Sequence, residues 1–170
     1  NYAQSTAKKY PVIYMNDGQN LFNEQTAPFG EWGVDECLDT LQQQLHKESI
    51  VVGIDNGADK RMTEYNPYDN AKFGKGEGKQ YADFLALTLK PYIDKKFRTL
   101  ADAHHTCIAG SSMGGLISLY VVMAHPESFG EARCDLGQGV AITRRCSRCG
   151  RRAFPRRLHE ALRTRVFRGL

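Results

Sequence analysis

A single serine stands where the sequence could place a catalytic nucleophile. Residues 110–114 read GSSMG and fit the pattern G-x-S-x-G, with an apolar run at 106–109 before them and a helical pattern at 113–124 after them. Between a strand and a helix this pattern forms a very tight turn, so small residues flank the serine and its Oγ is exposed at the sheet edge. The spacing therefore predicts Ser112 as a nucleophile and Ser111 as a turn residue.

A serine nucleophile that attacks a carbonyl also needs backbone N–H groups to hold the oxyanion. The N–H of Met113 is the natural first donor, because it lies at the start of the following helix, where the helix dipole is positive. The second donor in such sites follows an earlier strand at the same edge of the sheet. Gly18 permits close approach of the backbone there, and the Gln19 N–H would point at the substrate oxygen. An ordinary β-turn at Asp17-Gly18 is the alternative interpretation.

Alternating strand and helix patterns over the first 130 residues must position these groups, and they predict an α/β fold with a mostly parallel sheet. The predicted strands are 11–15, 49–54 and 106–109, and the predicted helices are 34–45, 81–97 and 113–124. Pro91 should bend or divide the second helix. In the third helix, one side carries the large apolar residues Leu116, Leu119, Tyr120 and Met123. The long loop 55–78 indicates a functional or mobile segment.

Charge divides the chain into two unequal parts. Before residue 131 there are twelve Lys and Arg against sixteen Asp and Glu, whereas residues 131–170 hold eleven Arg, no Lys and three acids. We therefore expect two parts: residues 1–130, which carry the strand and helix pattern and the nucleophile turn, and residues 131–170, an Arg- and Cys-rich segment that is not native to the fold. The arginines have little aromatic interleaving, so they predict nonspecific adhesion to polyanions and no specific nucleic-acid partner.

Other residues that could take part in chemistry give weaker signals. His159, oriented by Glu160 or Asp135, could act as the base only if the C-terminal segment folds onto the sheet edge. His125 is predicted as a structural residue at the end of a helix. The spacing Cys146-Ser-Arg-Cys149 lacks a second ligand pair, so no metal site is predicted. Tyr65 in the long loop is a candidate substrate-binding residue, with packing on its own loop as the alternative.

Six blocks of sequence, in order, resemble the esterase family of α/β-hydrolases that includes enterochelin, feruloyl and acetylxylan esterases, esterase D and the antigen 85 mycolyltransferases. The blocks are 14–22 (YMNDGQNLF), 32–36 (WGVDE), 53–57 (GIDNG), Arg61 with 64–67 (EYNP), 109–115 (AGSSMGG) and 125–127 (HPE). The resemblance covers about residues 10–130. It implies a three-layer αβα sandwich of the α/β-hydrolase fold, acyl-enzyme chemistry on carboxylic esters, and no cofactor.

The same resemblance implies an acid and then a base histidine later in the chain than the serine, and neither is identifiable here. We therefore expect the C-terminal part of the fold to be truncated or replaced, either by a shifted reading frame near residue 130 or by an unrelated fused segment. The expected function is a serine esterase acting through Ser112 on acyl or feruloyl esters of carbohydrates, or on siderophore esters. An acyltransferase, or an inactive truncated hydrolase with a basic polyanion-adhesive tail, are the alternatives.

Apolar stretches are too short to predict a membrane span. A sheet that ended after the nucleophile helix would expose the edge of a strand, which predicts self-association. Compartment stays open between secreted or periplasmic and cytoplasmic, because five scattered cysteines do not form a disulfide framework.

Overall fold

Successive side chains of the first strand point to opposite faces of the sheet and pack into two separate hydrophobic cores. The computed structural model describes residues 2–3, 5–28, 30–72, 74–135 and the backbone of 141–145. Val12 and Tyr14 point into one hydrophobic core, and Ile13 and Met15 point into another on the opposite face of the sheet. Successive side chains of a strand face opposite sides, so an uninterrupted apolar strand is covered on both faces. The predicted αβα layering follows from this run.

Five strands form one sheet in the order β2-β1-β3-β4-β5. Their bounds are β1 Val12–Asn16, β2 Ile50–Ile54, β3 Thr106–Ser111, β4 Glu131–Asp135 and β5 Ala141–Arg145. The first four are parallel, and β5 is antiparallel to β4. Because the first four strands run in the same direction, their carboxyl ends meet at one edge of the sheet.

Five α-helices connect or flank the strands among the described residues. They are α1 Val34–Leu45, α2 Arg61–Glu64, α3 Gly78–Phe84, α4 Lys90–Lys96 and α5 Met113–Ala124. A π-helical turn, Leu85–Leu89, separates α3 from α4, and Pro91 lies in the first turn of α4. The predicted division of this helix is therefore present, but at the π turn just before the proline. None of the helices described is both long and apolar enough to cross a bilayer.

Helix α5 packs on the sheet mainly through its smaller side chains. Leu116 and Met123 are about half exposed, whereas Ile117, Ser118 and Val121 are completely buried. Of the large apolar residues that the sequence places on one side of this helix, Leu119 and Tyr120 are partly buried and pack against the core. Gly114 and Gly115 bring the helix close to the sheet, where smaller side chains fit best. The narrow contact is set by the glycines that the nucleophile turn requires.

Strand β4 lies just beyond the point at which we expected the βα pattern to end. It pairs in parallel with β3, from Cys107 with Glu131 to Ser111 with Asp135. The edge of β3 that we expected to be exposed is therefore paired with β4. Self-association was expected because of that exposed edge, so it stays a prediction but loses this argument. The strand was missed because its three charged residues interrupt the apolar run expected of a central strand. The division between 1–130 and 131–170 also stays a prediction.

Candidate active site

Ser112 is the one residue between the end of β3 and the start of α5. Its backbone has φ 53° and ψ −120°, a conformation that a residue with a side chain rarely adopts. The glycines around it are required by contact distances: a Cβ at Gly110 would lie 2.5 Å from the carbonyl carbon of Gly114. A Cβ at Gly115 would lie 2.3 Å from Sγ of Cys134. This is the nucleophile-elbow geometry that the sequence pattern predicts.

Backbone hydrogen bonds hold Ser112 in this conformation. Its N–H donates to the carbonyl of Asp135 at 2.7 Å, and its carbonyl accepts from the N–H groups of Gly115 and Leu116 at 3.0 and 3.1 Å. The residue is exposed, whereas Ser111 is partly buried with its Oγ 3.5 Å from Oδ2 of Asp135. The structure therefore presents the hydroxyl of Ser112, and not that of Ser111, at the sheet edge.

Met113 is the first residue of α5, which places its N–H among the helix-start donors that have no intrahelical partner. The positive end of the helix dipole lies at the same point. Nothing in the described part of the chain assigns this N–H to another acceptor. Its position agrees with the predicted role of first oxyanion donor.

The predicted second donor lies in a short 3₁₀ turn, Gly18–Asn20, directly after β1. A Cβ at Gly18 would lie 2.6 Å from the backbone nitrogen of Ile54, so only glycine fits between the ends of β1 and β2. The first backbone hydrogen bond of the turn runs from the Asn20 N–H to the carbonyl of Asp17. Gln19 precedes Asn20, so its N–H does not take part in that bond. The pairing of Met15 with Ala109 brings the residues after β1 beside those after β3. The turn and the elbow thus lie at neighbouring strand ends.

The side chain of Asp17 is almost completely buried beneath this turn. Arg61 forms a two-pronged ion pair with it, Nε to Oδ1 at 2.7 Å and Nη2 to Oδ2 at 2.9 Å, and Asn56 Nδ2 donates to Oδ1 at 2.7 Å. Hydrogen bonding to Asp17 raises the pKa of the Arg61 guanidinium further above its usual value, against a smaller opposing effect of burial. Asn56 N–H also donates to Gln19 Oε1 at 3.3 Å. Sequence reasoning missed both partners, although both lie in blocks that resemble the family.

Asn16, the last residue of β1, joins the elbow to the neighbouring helices and was also missed. Its Nδ2 donates to the carbonyl of Gly114 at 3.0 Å and to Oγ of Ser118 at 2.9 Å. Its Oδ1 accepts from the hydroxyl of Tyr81 at 2.5 Å. A buried amide whose donors and acceptor are all used fixes the first turn of α5 against the sheet.

Tyr65 is not at the surface, so its predicted role in substrate binding is wrong for this structure. Its side chain has no exposed area, and its hydroxyl accepts a hydrogen bond of 3.2 Å from the Asp17 N–H. Burial raises the pKa of both Tyr65 and Tyr81, which keeps these phenols neutral. The short helix α2 turns the ring inward, where it supports the loop that follows β1.

No histidine among the described residues lies near Ser112. His125 ends α5, about 20 Å from the serine at about 1.5 Å per residue, and its Nε2 is 2.9 Å from Oδ1 of Asp83. His104 and His105 precede β3 and lie at the opposite edge of the sheet, and His46 ends α1 just before β2. His159 lies outside the described residues. The described part of the site thus contains the predicted nucleophile and the predicted oxyanion donors, and no histidine of the described residues lies beside them.

Metal-ligating groups are few in the part of the chain that the structure describes. Glu31, Asp35 and Glu36 can bring their carboxylates within 4.8 Å of one another, but all three are exposed. They lie around the start of α1 and are not part of the nucleophile turn. Cys146 and Cys149 fall outside the described residues.

Comparison with known proteins agrees with this geometry. Residues 1–135 match the model of a protein family described as "Putative esterase". The match extends past residue 130 and includes β4.

Two curated relatives and two solved structures give more detail. The uncharacterized protein YbbA of Bacillus subtilis is 28% identical over 130 residues, which are 72% of this chain and 47% of that protein. An endo-1,4-beta-xylanase/feruloyl esterase of Xylanibacter ruminicola is 31% identical over 124 residues, 72% of this chain and 16% of that protein. An IroE-like serine hydrolase from Shewanella oneidensis has a TM-score of 0.59 and 26% identity, covering 76% of this chain and 40% of that one. The enterochelin esterase from Shigella flexneri has a TM-score of 0.52 and 26% identity, covering 73% and 28%. The chain therefore spans about half the length, or less, of the proteins it matches.

Proposed function

Because this chain belongs to the esterase family of α/β-hydrolases, we propose that it forms the nucleophile-bearing part of a serine carboxylic ester hydrolase. The observation that carries the proposal is the backbone of Ser112, held at φ 53° and ψ −120° between β3 and α5 with its side chain exposed. Such a conformation costs free energy, on the order of 1–3 kcal/mol, and such conformations cluster at functional sites. Here the conformation exposes one serine at the sheet edge, and the oxyanion donors that we propose for it are the N–H groups of Met113 and Gln19.

In the proposed reaction, Oγ of Ser112 attacks the acyl carbon of an ester and its proton passes to a base. The negative charge that develops on the carbonyl oxygen is held by the N–H groups of Met113 and Gln19. The C–O bond to the alcohol then breaks, and the alcohol takes the proton from the base. Water hydrolyses the acyl-enzyme with help from the same base, releasing the acid and restoring the serine.

The base belongs to a part of the protein outside the described residues. Within this chain the candidate is His159, and Asp135 is the candidate acid, since β4 ends beside the elbow. For the substrate, we propose carboxylic esters with an aromatic acyl group such as feruloyl, joined to a carbohydrate. The similarity to a relative named as a feruloyl esterase supports this class, and siderophore esters are the second class to assay.

Hydrolysis of 4-nitrophenyl acetate and of a feruloyl ester, followed by absorbance, tests the function. We expect turnover by the wild-type chain to fall to background in Ser112→Ala, with Ser128→Ala, at a serine beyond the far end of α5, as the control that keeps its rate. His159→Ala should abolish turnover if this chain supplies the base, whereas His125→Ala should not.

Labelling with a fluorophosphonate tests the nucleophile itself. Peptide mapping should place the label on Ser112 in the wild type and in Ser111→Ala. Equal, background rates in folded wild type and Ser112→Ala, with no label on Ser112, would reject the proposed function for this chain.

A further inference from the structure

The carboxylate of Asp17 accepts more hydrogen bonds than a carboxylate in a surface ion pair usually does. Both of its oxygens accept from Arg61, and Oδ1 also accepts from Asn56. Only 4% of the Asp17 side chain is exposed, and 26% of the Arg61 side chain. A planar guanidinium matches a carboxylate in two-pronged geometry, which fixes orientation as well as distance. Asp17 is therefore fixed in position and not only neutralised.

The backbone of Asp17 needs such a restraint. It adopts φ 60° and ψ 48°, the left-handed conformation that costs free energy for a residue with a Cβ. This conformation turns the chain from β1 into Gly18 and Gln19. The N–H of Asp17 is held separately by the hydroxyl of Tyr65 at 3.2 Å, and the guanidinium of Arg61 lies 5.1 Å from the centre of the Tyr65 ring.

The same carboxylate also contacts the nucleophile elbow. A Cβ at Gly114 would lie 3.0 Å from Oδ2 of Asp17, so the carboxylate packs against the first turn of α5. Arg61 and Asn56 follow β2, Asp17 follows β1 and Gly114 follows β3. One buried carboxylate thus joins the carboxyl ends of three neighbouring strands.

From these contacts we propose that Arg61 is a positioning residue for the oxyanion site. Through Asp17 it holds the Gly18–Gln19 turn at the distance from Ser112 and Met113 that the developing oxyanion requires. Arg61 itself does not contact the reacting atoms. The inference rests on the proposed function for its catalytic consequence, but its structural part can be tested without any turnover.

Amide hydrogen exchange measured by NMR tests the structural part. The N–H groups of Asn20 and Leu21 donate to the carbonyls of Asp17 and Gly18 and report on the turn. In Arg61→Gln and Asp17→Asn we expect their exchange to accelerate at least about tenfold, while the N–H of Ile108 in the core of β3 is unchanged. Arg61→Lys should be intermediate, because lysine keeps the charge without the fork. The control Lys8→Gln, which removes the exposed ion pair with Glu48, should change neither.

Acylation of Ser112 by an ester and by its thionoester, in which sulfur replaces the carbonyl oxygen, tests the catalytic part. An aligned oxyanion site favours oxygen, so kcat/KM for the oxoester should fall about 100-fold in Arg61→Gln and that for the thionoester much less. A general loss of folded protein would lower both equally.

The exchange and acylation experiments each support or overturn the proposed role of Arg61. Unchanged exchange at Asn20 and Leu21, or acceleration only together with Ile108, would overturn the proposal, as would an equal fall for both esters. A wild type that does not acylate at Ser112 would reject the proposed function, and the exchange data would still decide whether Arg61 holds the turn.

Discussion

Gly115 lies directly against Cys134, so that a Cβ on the glycine would be 2.3 Å from the cysteine Sγ. The contact joins the first turn of α5 to β4 and sets how closely the nucleophile helix approaches the sheet. We expect Gly115→Ala to lower the free energy of unfolding by about 1–3 kcal/mol, the usual cost of overpacking a core. Denaturant unfolding measures the loss.

A double-mutant cycle separates this contact from a general effect of the glycine. Cys134→Gly removes both Sγ and the Cβ that would lie 3.1 Å away, so it should recover part of the loss in the double variant. The recovery stays partial because the carbonyl oxygen of Gly110 would still lie 2.9 Å from the new methyl group. If the two losses simply add, the contact is not the cause.

The strain at Ser112 leads to a second prediction. Glycine adopts a positive φ without a steric cost, so Ser112→Gly should raise the free energy of unfolding by about 1 kcal/mol. Ser112→Ala keeps a Cβ in the same conformation and should leave stability nearly unchanged. Thermal unfolding of the two variants side by side gives the comparison. Equal stabilities would show that the strain at Ser112 does not exceed the extra backbone entropy, about 0.5–1 kcal/mol, that glycine loses on folding.

Residues close in sequence allowed good predictions of the elements around the site. The bounds of α1 and α5 agree with the helical spacing of their apolar residues, and the elbow follows from five consecutive residues. Local pattern is enough for such features, because the groups that form them are neighbours along the chain.

Features that depend on tertiary contacts were missed or wrongly assigned. Arg61 and Asp17 are 44 residues apart, and the sequence gives no sign that a loop arginine returns to the end of β1. Tyr65 appeared to be a loop aromatic, but a short helix places it in the core. Strand β4 alternates charged and small residues where an apolar pattern was expected, and it is buried through its pairing with β3 and its contact with α5.

Asn16 offers a third prediction, because it is buried with three hydrogen-bonding partners. Replacing it by alanine leaves the Tyr81 hydroxyl and the Gly114 carbonyl without this partner, and we expect a loss of about 2–4 kcal/mol in unfolding free energy. Ser118→Ala is the matched control: Ser118 Oγ donates to the same carbonyl at 2.7 Å, but its removal leaves both amide bonds to Gly114 and Tyr81. Its loss should be about 1 kcal/mol. Equal losses in urea unfolding would contradict the central role of Asn16.

Asp102, at the opposite edge of the sheet, gives a prediction about acid stability. Burial raises the pKa of its carboxyl, but the hydrogen bonds from the ring and N–H of His105 outweigh this and leave the pKa below the usual 3.8. Because the folded-state pKa is the lower one, the stabilisation is present above about pH 4 and is lost as the pH falls through the folded value. The side chain is 57% exposed, so solvent screening limits the effect to less than about 1 kcal/mol.

Asparagine can still cap the turn before β3, so Asp102→Asn should remove this part of the acid destabilisation while changing stability little at pH 3. Unfolding free energies at pH 3 and pH 7 test this, with the exposed Asp59→Asn as control; an unchanged pH difference in Asp102→Asn would contradict it.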